Sequence, residues 1–240
     1  LRVGEEEEVI VQVVLWDIDH TLIDTNGVGG EIFGECFHRV TGHRMREQAA
    51  VDGMTEPVIF RETAALHGLT STRAMFEEFA ACSAEQHRLR AGELRTRGRA
   101  LPGAAHTLAA VAEVTGVVQT VVTGNIRPVA EIKLGVFGLD THVRFELGGY
   151  GEDDDDRAAL VRTAMTRTSQ TLKTTVAPED VLLIGDTPAD VAAALANHVH
   201  VLAVASGRTN AADLARAGAH TVVEDLTDPL LLDLLTRRTT

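Results

Sequence analysis

Asp17 and Asp19 stand two residues apart at the end of the apolar run V11-Q-V-V-L-W16. Two like charges this close repel, and each carboxylate needs water, hydrogen bonds or a metal to stay ionised. A divalent cation resolves the repulsion. It also leaves one carboxylate free to attack an electrophile while the other handles a proton. Two further apolar runs end in polar side chains: Val117 to Val122 in T123-G-N125, and Val181 to Ile184 in G185-D-T-P-A-D190. A single acidic run-end carries little information, whereas three polar ends meeting at one crevice are hard to produce by packing alone.

The elements that must position these residues follow from the apolar pattern. Val9 to Trp16, Val117 to Val122, Val181 to Ile184 and Val199 to Val204 are β-branched and nearly continuous, which predicts strands buried on both faces. Val143 to Leu147 and Thr221 to Val223 are short strand candidates, and helical stretches alternate with the strands. The expected fold is therefore α/β, a parallel Rossmann-like sheet with helices on both faces and ligands beyond the carboxyl ends of its strands. Residues 25 to 100 interrupt it. Strand signals are nearly absent there, and Ile32, Phe33, Cys36, Phe37 and Val40 share one helical face. The expected domains are a core of residues 9–24 and 101–240 and an inserted all-helical cap of residues 25–100. N26-G-V-G-G30 fits a hinge into that cap better than a dinucleotide fingerprint, because it closes no strand-to-helix phosphate turn.

With 22 basic and 35 acidic side chains among 240 residues, the formal net charge is −13. That sign disfavours nucleic acid and anionic membrane as partners, and any anion site needs local positive charge or a metal. No apolar run approaches membrane-spanning length. Cys36 and Cys82 are too few for a disulfide scaffold and lack metal-ligand spacing, so a reducing, cytoplasmic compartment is expected. The opening L-R-V-G-E-E-E-E is not a secretory signal, and Glu5 to Glu8 read as a solvated arm. Monomer and homodimer are equally compatible with the sequence.

The motif W16-D-I-D-H-T-L22 resembles the first motif of haloacid dehalogenase-like hydrolases, V121-V-T-G-N125 the second and I184-G-D-T-P-A-D190 the fourth. The overall cast is similar to the phosphoglycolate-phosphatase-type branch. The resemblance implies Asp17 as the nucleophile of an aspartyl-phosphate and Asp19 as general acid and base. It implies Thr123 and the Gly124 N–H as phosphate donors, with Asn125 orienting the nucleophile or meeting the cap. Mg²⁺ would be held by Asp17, Asp19 (through its backbone carbonyl) and Asp186, supported by Asp190. His20 stands where the family commonly has glycine.

The third motif of the family supplies a lysine about thirty residues after the second. Here that region reads G151-E-D-D-D-D-R157. Arg157 is the positional substitute, able to screen Asp17 and bind an oxygen, with Lys133 its rival. The stretch D52-G-M-T-E-P57 resembles a cap segment of small-phosphate hydrolases, making Thr55 and Arg61 candidate substrate contacts. The implied function is Mg²⁺-dependent hydrolysis of a small phosphorylated metabolite, with 2-phosphoglycolate the leading named candidate. A dehalogenase would not need Asp19 and Asp186, and a phosphonate-cleaving relative would need a cap lysine that this chain lacks. A sugar-phosphate mutase and a catalytically impaired interaction protein stay open as alternatives.

Overall fold

The computed structural model of the chain describes residues 12–238; the start of the first expected strand at Val9 and the Glu5 to Glu8 arm lie outside them. Strand β1 (Gln12–Trp16) leads through the short β2 (Ile23–Asp24) into four helices, α1 (Val28–Thr41), α2 (Glu56–Leu66), α3 (Arg73–Leu89) and α4 (Ala91–Arg97). The chain returns through β3 (Arg99–Ala100) and continues as α5 (Ala104–Ala112), β4 (Val117–Val121), α6 (Arg127–Val136), α7 (Arg157–Leu172) and β5 (Val181–Gly185). It ends with α8 (Pro188–Ala196), β6 (His200–Val204), α9 (Ala211–Arg216), β7 (Thr221–Val223) and α10 (Leu230–Arg238).

Strands β4, β1, β5, β6 and β7 form one parallel sheet in that order. Because β1 sits between β4 and β5, the chain leaves it toward opposite edges, and a crevice opens beyond its carboxyl end. Alternate side chains of β1 enter separate apolar layers, as a strand covered on both faces requires. Val14 and Trp16 pack with Leu108, Val111, Leu134 and Leu231. Val13 and Leu15 pack on the other face with Leu160, Val161, Val191 and Leu214. Trp16 buries its indole without a lost hydrogen bond, since Nε1 donates to Gln119 Oε1 at 3.1 Å and Gln119 Nε2 donates to the Leu108 carbonyl at 2.9 Å.

Helices α1 to α4 form the cap around their own apolar cluster. Phe33, Phe37, Phe60 and Phe79 are its centre, with the rings of Phe33 and Phe79 4.7 Å apart. Val136 from α6 joins this cluster, so part of the cap core is completed by the sheet domain. β2 and β3 pair antiparallel where the chain passes into and out of the cap. We place the junctions of the proposed domains at this ribbon, close to 24/25 and 100/101.

Two expectations are corrected here. Val143 to Leu147 is not a strand: Phe145–Leu147 is a single 3₁₀ turn, and the sheet edge is extended only by an isolated bridge between Val122 and Gly149. The apolar pattern was met by packing Val143, Phe145 and Leu147 on the core rather than by a ladder. Cys36 and Cys82 form a disulfide joining α1 to α3, their Cα atoms 5.7 Å apart. Packing of the two helices brings together cysteines 46 positions apart, so the inference of a reducing compartment from cysteine scarcity falls away. Among the described residues no helix is long and apolar enough to cross a membrane.

Candidate active site

The carboxyl ends of β1, β4 and β5 and the facing side of the cap enclose a cavity of about 320 Å³. Asp17 and Asp19 follow β1 directly. The turn after them is held by His20, whose φ of +63° lies in the left-handed region where glycine is the unstrained choice. His20 N–H donates to the Ile23 carbonyl, and its own carbonyl accepts from Ser206 Oγ at 2.6 Å. The turn is thus tied both to itself and to the loop after β6. It also buries Thr21, whose Oγ1 donates to Asp186 Oδ1 at 3.2 Å.

Asp186 and Asp190 follow β5. Thr187 caps α8 reciprocally: Oγ1 accepts from Asp190 N–H at 3.2 Å, and Asp190 Oδ2 accepts from Thr187 N–H at 3.1 Å. The remaining oxygen of Asp190, Oδ1, accepts from Arg157 Nε at 2.7 Å, while Arg157 Nη2 donates to Asp17 Oδ1 at 2.6 Å. Arg157 is the first residue of α7 and is itself buried; Asp156 caps the helix by accepting from Ala158 N–H at 3.0 Å. The acidic run before it is a set of separate contacts. Glu152 accepts from Arg127 N–H, Asp153 pairs with Arg167, and Asp155 pairs with Arg61.

Asp17, Asp186 and Asp190 offer carboxylate oxygens within 4.8 Å of one another. All three are buried. Burial raises Asp17 to about 7 against the lowering effect of Arg157, and burial together with the neighbouring Asp17 and Asp190 raises Asp186 to about 8. Three carboxylates against one guanidinium leave a deficit of positive charge. A hard divalent cation fits it, and the all-oxygen donor set is that of Mg²⁺. Since both oxygens of Asp190 are engaged by Arg157 and Thr187, Asp17 and Asp186 are the better-placed side-chain donors and Asp190 supports them.

Asp19 faces another way. Its carboxylate receives Lys133 Nζ at 2.7 and 2.8 Å and Asn125 Nδ2 at 2.8 Å. Burial opposes the charge on Asp19, but the Lys133 contact and the Asn125 hydrogen bond prevail and hold its carboxyl below the ordinary value. Lys133, the rival of Arg157, reaches back from α6 with its ammonium buried and also donates to Asn125 Oδ1 at 2.7 Å. Arg157 and Lys133 therefore serve different carboxylates. Asn125 Nδ2 additionally donates to the buried Thr123 Oγ1 at 2.8 Å, which joins the end of β4 to the end of β1.

Gly124 lies so close to the cap that a Cβ there would run into the Met54 carbonyl. Its own carbonyl accepts from Glu56 N–H at 2.8 Å. Thr55 and Arg61 do not line the cavity. Thr55 precedes α2 and is buried, and Arg61 points outward to Asp155 at 2.7 Å. The cap residues that do reach the cavity include Glu56 and His87, which the sequence reading did not single out. Glu56 is bonded by Ile126 N–H and Ser83 Oγ, both at 3.2 Å. No motif spacing marks either residue, because their approach depends on how α2 and α3 dock on the core.

A model of the family described as haloacid dehalogenase-like hydrolase matches residues 14–195. The chain belongs to that family. No curated protein matches it. Among solved structures, a hydrolase from Pseudomonas syringae is 21% identical, covers 93% of this chain and 99% of its own, and superposes with a TM-score of 0.66. A haloacid dehalogenase-like family hydrolase from Streptococcus pneumoniae is 14% identical, with 93% and 98% covered and a TM-score of 0.61. A predicted phosphoglycolate phosphatase from Haemophilus somnus 129pt is 16% identical, with 93% and 98% covered and a TM-score of 0.60. At these identities the structures establish the fold alone. The buried Asp17, Asp186 and Asp190 group could hold a divalent metal, and membership of the family supports hydrolytic chemistry in general.

Proposed function

We propose that this chain is a Mg²⁺-dependent phosphatase that hydrolyses a small phosphate monoester through an aspartyl-phosphate on Asp17. The observation that carries the reading is the pairing of Asp17 with Arg157. The guanidinium engages only Oδ1, and Oδ2 makes no hydrogen bond among the described residues. Asp17 and Asp186 would hold Mg²⁺, which would supply positive charge for phosphoryl oxygens and favour the ionised form of Asp17 at neutral pH.

Asp17 Oδ2 attacks phosphorus, an Oδ2–P bond forms, and the bond from phosphorus to the ester oxygen breaks. The departing oxygen takes a proton from Asp19 and leaves as an alcohol. Water then attacks phosphorus, gives its proton to Asp19, and the Asp17–phosphorus bond breaks to release phosphate. Thr123 Oγ1 and the Gly124 N–H are the proposed donors to phosphoryl oxygens, and Arg157 offsets charge at the attacking carboxylate. The Lys133 contact keeps Asp19 ionised, which suits the water step. Release of Lys133 would restore the proton affinity that the first step needs. The family resemblance brings forward 2-phosphoglycolate among small esters. Thr55 and Arg61 are dropped as substrate contacts.

The test is hydrolysis of p-nitrophenyl phosphate and a panel of small phosphate esters with Mg²⁺ and with EDTA. Asp17→Asn should lower turnover at least ~10³-fold while the thermal unfolding transition persists, and mass spectrometry should find the phosphoryl group on Asp17. Wild-type rates in Asp17→Asn, or rates indifferent to EDTA, would remove the reading.

A further inference from the structure

His87 lies on α3, in the wall of the cavity that also holds Asp17, Asp19 and Lys133. It is 3% exposed. Its Nδ1 lies 2.8 Å from the Ser83 carbonyl, one helical turn earlier. A carbonyl only accepts, so Nδ1 carries the ring proton and Nε2 presents a lone pair. Nε2 has no hydrogen-bond partner, although it is buried. Burial, helped by the charge of Lys133, pushes the imidazole down to about 4, so the ring stays neutral and Nε2 stays an acceptor at physiological pH. A buried acceptor without a donor is an open demand in the site.

The charges around it restrict what can meet that demand. The charged residues that the cap contributes to the cavity lining are Asp52 and Glu56, both acidic. The cations in the lining belong to the core, and each is engaged. Lys133 Nζ makes three contacts with Asp19 and Asn125, Arg157 bridges Asp17 and Asp190, and Arg208 faces Asp52 at 3.6 Å. A carboxylate on the leaving group would add a further acceptor and negative charge beside acceptors. A hydroxyl would donate to Nε2 and bring no charge.

Resting on the phosphatase reading, we propose that the substrate is a phosphate monoester of a small neutral polyol, and that His87 determines this specificity by accepting a hydrogen bond from a leaving-group hydroxyl. The preference runs against a carboxylate ester such as 2-phosphoglycolate. It commits equally against an aminoalkyl ester, because Glu56 is already bonded to Ser83 and Ile126 and Asp52 is ion-paired with Arg208.

Initial rates on glycerol 3-phosphate, propyl phosphate, 2-phosphoglycolate and phosphoethanolamine, each with Mg²⁺, test the inference. The wild-type protein should show a kcat/KM for glycerol 3-phosphate at least tenfold above each of the others. In His87→Leu the ratio of glycerol 3-phosphate to propyl phosphate should fall at least tenfold, chiefly through KM, and His87→Gln, which keeps an acceptor, should restore part of it. The wild-type panel decides the matter even where His87→Leu fails to fold. Turnover that favours 2-phosphoglycolate or phosphoethanolamine, or a ratio unmoved in His87→Leu, overturns the specificity inference and leaves the phosphatase reading standing. Absence of turnover on every ester removes that reading, and the inference with it.

Discussion

The carboxyls of Asp17 and Asp186 are pushed up to about 7 and about 8, each chiefly by burial. Their folded values lie above those of an unfolded chain, near 4. Such groups add stability that is fully present below the unfolded value and is lost as pH rises through the folded one. The metal-free protein should therefore lose melting temperature between pH 4 and 8. Added Mg²⁺ should restore more of it at pH 8 than at pH 5, because the cation competes with protons for the same oxygens. Calorimetry at several pH values, with EDTA and with Mg²⁺, checks this; a Mg²⁺ effect that shrinks as pH rises would contradict it. The two buried cations divide the remaining electrostatics. Arg157→Met should cost ~10²-fold or more in kcat, since it leaves Asp17 and Asp190 unscreened. Lys133→Met frees Asp19 from its lowering partner and should instead move the alkaline limb of the rate profile upward, because the acid form then survives to higher pH. Identical pH profiles for the two variants would undo the separation.

At the scale of elements, the site is made by strand ends and the first turns that follow them. β1 delivers Asp17 and Asp19, β4 delivers Thr123 to Asn125, and β5 delivers Asp186, with Asp190 fixed by the cap of α8. These positions were legible because a buried strand must stop where its side chains turn polar, and T187-P-A-D190 is a helix-start pattern in its own right. Arg157 was legible as a candidate to screen Asp17, but with Lys133 as its rival, since only the docking of α7 and α6 beside β1 decides which carboxylate each cation meets. The disulfide belongs to this scale as well. Joining α1 to α3 closes a loop of 46 positions, for which the loss of chain entropy in the unfolded state corresponds to up to about 4 kcal/mol. Unfolding in denaturant with and without dithiothreitol should show a lower midpoint on reduction, and Cys36→Ser should match the reduced protein. Equal midpoints would show that the bridge contributes nothing to the cap.

Across the whole molecule, cap and core meet through apolar packing on Val136 and the ion pairs Arg61–Asp155 and Arg208–Asp52, and most deeply through Glu56. Its N–H bonds the Gly124 carbonyl, one carboxylate oxygen caps the start of α6 at Ile126, and the other receives Ser83 from α3. Glu56→Ala would strand the buried Ile126 N–H, at a cost of ~1–3 kcal/mol. It should accelerate hydrogen exchange at Glu56 and Ile126 while leaving the amides of β1 and β5 protected. Protection unchanged at the first pair would mean that the carboxylate does not hold the two parts together.

The sequence by itself determined the five strands of the parallel sheet, the order of its motifs, the presence of a helical cap and the acidic residues at the strand ends. Each of these is written as a local period or as a short motif within one element. Only the tertiary structure decided that Arg157 serves Asp17 while Lys133 serves Asp19, that Cys36 meets Cys82, that Arg61 points outward, and that Glu56 and His87 reach the cavity. Those facts depend on how elements far apart in the chain dock and face one another, and side-chain direction across an interface leaves no periodic trace in the residues that make it.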